Sequence, residues 1–123
     1  MQNGYLKINV YTANRLIPLG GAQIAVYDEN GNIIGYRVSD KSGNAQAVTI
    51  SAPNKDLSES PGNSSPFTSV DVAIRAKGYV PQRYNGIQVF AGETSVLNAD
   101  MIPLADNRNL WTNGEYNLKP QTL

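Results

Sequence analysis

The chain contains no cysteine and no histidine. Disulfide stapling is thereby excluded, and so are zinc and copper sites of the usual kinds, which rely on thiolate or imidazole ligands. The same absences remove the commonest nucleophile–base pairs of hydrolysis. Tryptophan occurs once and phenylalanine twice. Charge of one sign is lacking too: ten Lys and Arg balance ten Asp and Glu. Without a basic stripe to displace counterions, nucleic acid is not an expected partner. No apolar run is long enough to span a bilayer, so no membrane partner is expected either. No glycine-rich phosphate cradle is present, because Gly20-Gly21 lacks a following helix. The expectation is therefore no enzyme, no metal and no cofactor.

What is present is a period of two. Leu6, Ile8 and Val10 alternate with Tyr5, Lys7, Asn9 and Tyr11, and Ala22, Ile24 and Val26 alternate with Gln23, Ala25 and Tyr27. Such alternation marks half-buried strands. Asp28-Glu29-Asn30-Gly31 supplies a hairpin turn before a third strand with Ile34, Tyr36 and Val38. Ser39 to Asn44 makes another turn. A fourth strand runs over 45–51 with Val48 and Ile50 inward, and a fifth holds Val70, Val72 and Ile74. A sixth covers 81–90 with a bulge at Asn85-Gly86. A seventh covers 94–102 with Leu97, Ala99 and Met101 inward. No window shows helical periodicity. The chain reads as all-β: a seven-stranded Greek-key β-sandwich over 1–104, transthyretin-like or immunoglobulin-like, followed by an extended C-terminal arm over 105–123. A long Pro- and Ser-rich loop is expected over 52–69.

Three blocks of residues resemble a known group. They are Leu16-Ile17-Pro18-Leu19-Gly20-Gly21-Ala22-Gln23-Ile24-Ala25-Val26-Tyr27-Asp28, then Ser39-Asp40-Lys41-Ser42-Gly43-Asn44 closing with Ala52-Pro53, and Val72-Ala73-Ile74-Arg75-Ala76-Lys77-Gly78-Tyr79. Together they look like the transthyretin-like, carboxypeptidase-regulatory type of β-sandwich. Ser39 stands where that group usually has threonine. The loop after Ala52 and the turn Phe90 to Ser95 are similar to the module appended to clostridial spore cortex-lytic and peptidoglycan-associated proteins. The resemblance covers about residues 4–104 and implies a non-catalytic accessory module.

Candidate sites follow from what is left. The acids Asp28, Glu29 and Asp40 sit in turns, where side-chain to backbone bonding accounts for them; with Asn30 they could also offer hard oxygens to calcium, but no repeat spacing supports this. Lys7, Asn98 and Asp71 are the one trio that could form an internal isopeptide crosslink, which needs a dry site, whereas Lys7 lies between two inward residues. Tyr5, Tyr11 and Tyr27 fall opposite the apolar residues of their strands and are candidates for an aromatic interface patch. Leu110, Trp111, Tyr116 and Leu118 dot an otherwise polar tail that could dock on a neighbouring subunit.

The functional expectation is a non-catalytic structural or attachment subunit of a larger assembly, such as a phage virion, tail-like particle or spore layer, acting through contacts with other protein subunits in homo- or hetero-assembly. The alternative is a carbohydrate- or peptidoglycan-binding module with cell-wall glycan as ligand. Met1-Gln2-Asn3-Gly4 carries no signal pattern, so synthesis in the cytoplasm and incorporation into a particle or spore structure is expected.

Overall fold

The structure, a computed structural model, describes residues 2–53 and 66–104. Among these every regular element of two or more residues is a strand: β1 (Gln2–Thr12), β2 (Ile17–Pro18), β3 (Gln23–Tyr27), β4 (Ile33–Val38), β5 (Val48–Ala52), β6 (Thr68–Arg75), β7 (Gln82–Val89) and β8 (Thr94–Met101). Seven are those the alternation predicts. The two-residue β2 is additional and lies inside the segment expected to be a turn. Residues 54–65 of the expected loop, and the arm over 105–123, lie outside the described residues. No helix among the described residues is long and apolar enough to cross a membrane.

Two sheets form. In the first, β8 runs parallel to β1 along Tyr5–Thr12, while β5 and β2 pair antiparallel with opposite ends of β1. The second is antiparallel throughout, in the order β4-β3-β6-β7. Leu6, Ile8 and Val10 from β1 meet Ile24, Val26, Val72 and Ile74 from the facing sheet in one aliphatic interior, with Val48, Ile50, Ala99 and Met101. Leu97 packs against this cluster from a partly buried position. Period-two strands leave one face of each sheet for the interior and the other for solvent.

The third predicted strand forms, but its apolar residues turn away from the interior. Ile34, Tyr36 and Val38 are exposed. The inward positions are Gly35, where an added Cβ would come 2.7 Å from a Val48 methyl, and Arg37. The Arg37 guanidinium donates to the carbonyls of Tyr36, Gln46 and Ala47 at 2.8, 3.2 and 3.4 Å.

Two turns share one design. Asp28 Oδ1 accepts the N–H groups of Asn30 and Asn32, and Asp40 Oδ1 accepts those of Ser42 and Asn44, all at 2.9 Å. Each turn then places glycine at positive φ, Gly31 at 84° and Gly43 at 78°. At Gly43 a side chain would also strike the Val10 carbonyl. These bonds are the turn role expected of Asp28 and Asp40. Ser39 ties the second turn to the chain's crossing between sheets. Its buried hydroxyl accepts from Ala22 N–H at 3.0 Å and donates to the Leu19 carbonyl at 2.7 Å.

The bulge expected at Asn85-Gly86 is present. Val72 pairs with Tyr84 and Val70 with Ile87, so Asp71 alone faces two residues, and its Oδ1 accepts the Gly86 N–H at 3.0 Å. Between β1 and β2, Ala13, Asn14 and Arg15 all take left-handed φ of 56°, 60° and 67°. Such a run is rare for residues with a Cβ. Arg15 N–H donating to Asp100 Oδ1 at 3.1 Å helps hold it.

Three outcomes are expected. Ile74→Ala, which hollows the interior, should lower unfolding free energy by about 2–5 kcal/mol in urea titration. Ser39→Ala strands a buried donor and acceptor and should cost about 1–3 kcal/mol by the same measurement. Asp28 is held below the 3.8 of a free aspartate, first by the Asn32 N–H and then, against the opposing effect of desolvation, by the other bonds of its turn. A depressed folded pKa contributes stability above the unfolded value and loses it as pH falls through the folded one. The Asp28 carboxyl carbon should therefore titrate by NMR with a midpoint under 3.8, and its contribution to stability should fade only in that acid range.

Candidate functional site

β3 and β6 are interior strands of the second sheet, and their outward residues define its solvent face. Cross-strand partners on that face are Tyr36, Ala25 and Ala73 in one row, with Arg83 next to Ala73. Val38, Gln23 and Arg75 form the next row. Alanine at both central positions of the first row leaves a low floor between longer side chains. The result is an open depression of about 280 Å³ lined by Gln23, Ala25, Tyr27, Tyr36, Ala73 and Arg75. A second depression of about 340 Å³ adjoins it, lined by Gly21, Gln23, Arg75, Ala76, Lys77 and Pro81. Gln23 and Arg75 belong to both, so the two form one trough.

Packing stiffens one end of the trough. The Arg83 guanidinium lies 5.0 Å from the centre of the Tyr27 ring, a cation–π distance. Its charge is met by Asp71 at 3.3 Å. At the far end Tyr79 N–H donates to the Ala76 carbonyl at 3.0 Å, closing the turn that carries Lys77. Gln82 and Tyr84, by contrast, face the interior side of β7. The Tyr84 hydroxyl donates to the Gln82 side chain, and burial, followed by the Asp100 carboxylate, pushes the Tyr84 phenol above its ordinary range.

The tyrosines expected to make one patch lie on two different faces. Tyr5 and Tyr11 are on the outer face of the first sheet, six residues apart on β1, or about 20 Å. Lys7 and Asn9 lie between them. Lys7 Nζ donates to Asn9 Oδ1 and the Ala45 carbonyl, both at 2.9 Å, and Asn9 Nδ2 donates to Asn98 Oδ1 at 3.0 Å. Tyr27 is on the second sheet, where Tyr36 joins it. The possible isopeptide trio is likewise divided, with Asp71 on the opposite sheet bonded to Arg83 and Gly86. Leu110, Trp111, Tyr116 and Leu118 lie outside the described residues. Among the described residues no three acidic side chains gather to hold a metal ion.

Sequence reasoning passed over Gln23, Ala25, Tyr36, Ala73, Arg75 and Lys77 as trough residues. A signal was available: alanine at the outward positions of two strands whose other outward residues are large or polar.

No protein-family model matches the chain, and no curated protein matches it in sequence. Solved structures do match in fold. The TIE protein of Bacillus anthracis superposes with a TM-score of 0.52 at 21% identity, covering 83% of this chain and 17% of that one. The 5-hydroxyisourate hydrolase of Klebsiella pneumoniae gives 0.53 at 12% identity, covering 84% and 91%. A candidate carbohydrate-binding protein of Bacteroides uniformis gives 0.53 at 12%, covering 84% and 43%. The chain thus spans about a sixth of the first and under half of the third. The fold is a transthyretin-like β-sandwich.

One expectation is corrected here. The sequence leads to an expectation of no enzyme because histidine, cysteine and a glycine-rich phosphate cradle are absent. A hydrolase has this fold over nearly its whole length, so the architecture does not preclude catalysis. The outer face of the second sheet also holds a trough with polar side chains. At these identities the likeness shows the fold and does not make this chain an enzyme.

Proposed function

We propose that the chain is an attachment module of a larger assembly, joined to other protein subunits through the edge strand β4. The observation that carries this reading is the composition of that edge. Ile33, Ile34, Tyr36 and Val38 are 62%, 40%, 52% and 52% exposed. No described strand pairs with the outer side of β4. Sheet edges that must stay single are usually guarded by lysine, proline or an outward charge. Here the one charged residue of the strand, Arg37, is turned onto the carbonyls of Gln46 and Ala47. A strand from another subunit could continue the sheet and cover the apolar row. The resemblance to carboxypeptidase-regulatory modules and to those of spore cortex-lytic proteins agrees with an accessory role. So does the use of this fold as part of longer chains. A phage virion, a tail or baseplate particle, or a spore layer would suit such a subunit.

A second reading has its own observation. Tyr27 and Tyr36 beside the Ala25–Ala73 floor make a shallow aromatic trough of the sort that receives a sugar ring, and a structural neighbour is a candidate carbohydrate-binding protein. Cell-wall glycan is the ligand class this favours.

The edge reading is tested by Ile34→Lys combined with Val38→Lys. Both side chains are exposed, so melting should shift by only a few degrees. The unmodified chain should associate as concentration rises in sedimentation velocity, and the double variant should remain monomeric. A wild-type chain that stays monomeric into the millimolar range contradicts edge pairing.

A further inference from the structure

The trough on the second sheet carries an imbalance of charge, and from it we infer that its ligand is a saccharide bearing a carboxylate. This rests on the saccharide reading of that face and adds the sign and chemistry of the ligand. Arg75 and Lys77 line the trough, and neither has an ion-pair or hydrogen-bond partner among the described residues. The other nearby cation, Arg83, is neutralised by Asp71. No acidic residue lines either depression, although the chain has as many acids as bases. A guanidinium and an ammonium left open beside an apolar floor favour an anion, and the planar guanidinium fork matches a carboxylate in particular.

The rest of the surface favours a sugar over a peptide. Peptides bind sheets by adding main-chain hydrogen bonds at an edge. β3 and β6 are paired on both sides, so the floor of the trough has no backbone groups to offer. Recognition there depends on side chains: the rings of Tyr27 and Tyr36, the Gln23 amide, the Arg75 guanidinium and the flat alanine floor. From Tyr27 to Gln23 the face runs about 13 Å along β3, and the depression holding Lys77 extends it. That length suits linked rings with the acid group lying at Arg75, between the two depressions.

Calorimetry on the whole chain tests this with trigalacturonate and a muramic-acid disaccharide as carboxylate probes. The methyl ester of trigalacturonate, neutral chitotriose and a glutamate tripeptide are the comparison arms. The carboxylate sugars should bind, with amide shifts by NMR centred on Gln23, Ala25, Ala73 and Arg75. Esterification or Arg75→Gln should weaken binding about tenfold or more, the scale of a lost charge-assisted contact. Ala73→Gln, which fills the floor, should weaken it comparably. Val96→Lys, exposed on the outer face of the first sheet, should leave it unchanged. Equal binding of the ester or chitotriose overturns the acidic ligand while the saccharide reading stands. Failure of every sugar overturns both. Binding of the glutamate tripeptide alone, or binding indifferent to Arg75→Gln and Ala73→Gln in chains that melt normally, also overturns it.

Discussion

The hydroxyl of Ser39 fixes the point at which the chain leaves one sheet for the other. By accepting from Ala22 N–H and donating to the Leu19 carbonyl, it sets where β3 begins. Side chains alternate along a strand, so a slip of one residue would exchange its two faces. Ile24 and Val26 would go to solvent, and Gln23, Ala25 and Tyr27 would go to the interior. The aliphatic core and the outer trough are thus two consequences of one registration. A buried hydroxyl with both partners satisfied is a stiff device for the purpose, since moving it would strand polar groups away from water. The Asp40 turn that follows holds Gly43 against Val10, which ties the same crossing to β1.

With the interior filled by one face of each sheet, function falls to the surfaces that remain. The outer face of the first sheet is knitted by its own polar bonds, Lys7 to Asn9 and Ala45, and Asn9 to Asn98. The second sheet is different. Its centre is low, its cations Arg75 and Lys77 are open, and its edge strand β4 is apolar and unguarded. Face and edge meet at Tyr36. A module with two such adjacent surfaces could hold a partner subunit at one and a ligand at the other, and transthyretin-like sandwiches do form parts of longer chains.

The interior was legible because period two says which residues share a face, and most apolar sets had only one way to go. Leu6, Ile8 and Val10, then Ile24 and Val26, then Val72 and Ile74, turn inward as the alternation requires. The same rule misleads at β4. Ile34, Tyr36 and Val38 share a face, but that face is outward, because Val48 leaves room only for Gly35 and the Arg37 guanidinium finds carbonyls at the β5 side. Nor does parity reveal which sheet a strand joins, so Tyr5 and Tyr11 could not be separated from Tyr27. The trough stayed hidden for a related reason. It is made by cross-strand neighbours, and the pairing of Ala25 with Ala73 joins residues 48 positions apart, with two turns and two strands between them. The expectation of no catalysis equates reactive chemistry with histidine and cysteine, and a hydrolase of the same fold means that the architecture alone does not carry that exclusion.

The pairing of Ala25 with Ala73 is where the account can be tested most directly, and a chain without cysteine makes the test clean. Register partners in an antiparallel pair lie about 4.5 or 5.5 Å apart at Cα, within disulfide reach, whereas residues two positions along lie beyond or at its limit. On mild oxidation, Ala25→Cys with Ala73→Cys should form an intramolecular disulfide, seen as loss of two hydrogens in intact mass, while Ala25→Cys with Arg75→Cys should stay reduced. Crosslinking of the second pair and not the first would mean that β3 and β6 are registered differently, and neither the interior nor the trough would then be as described.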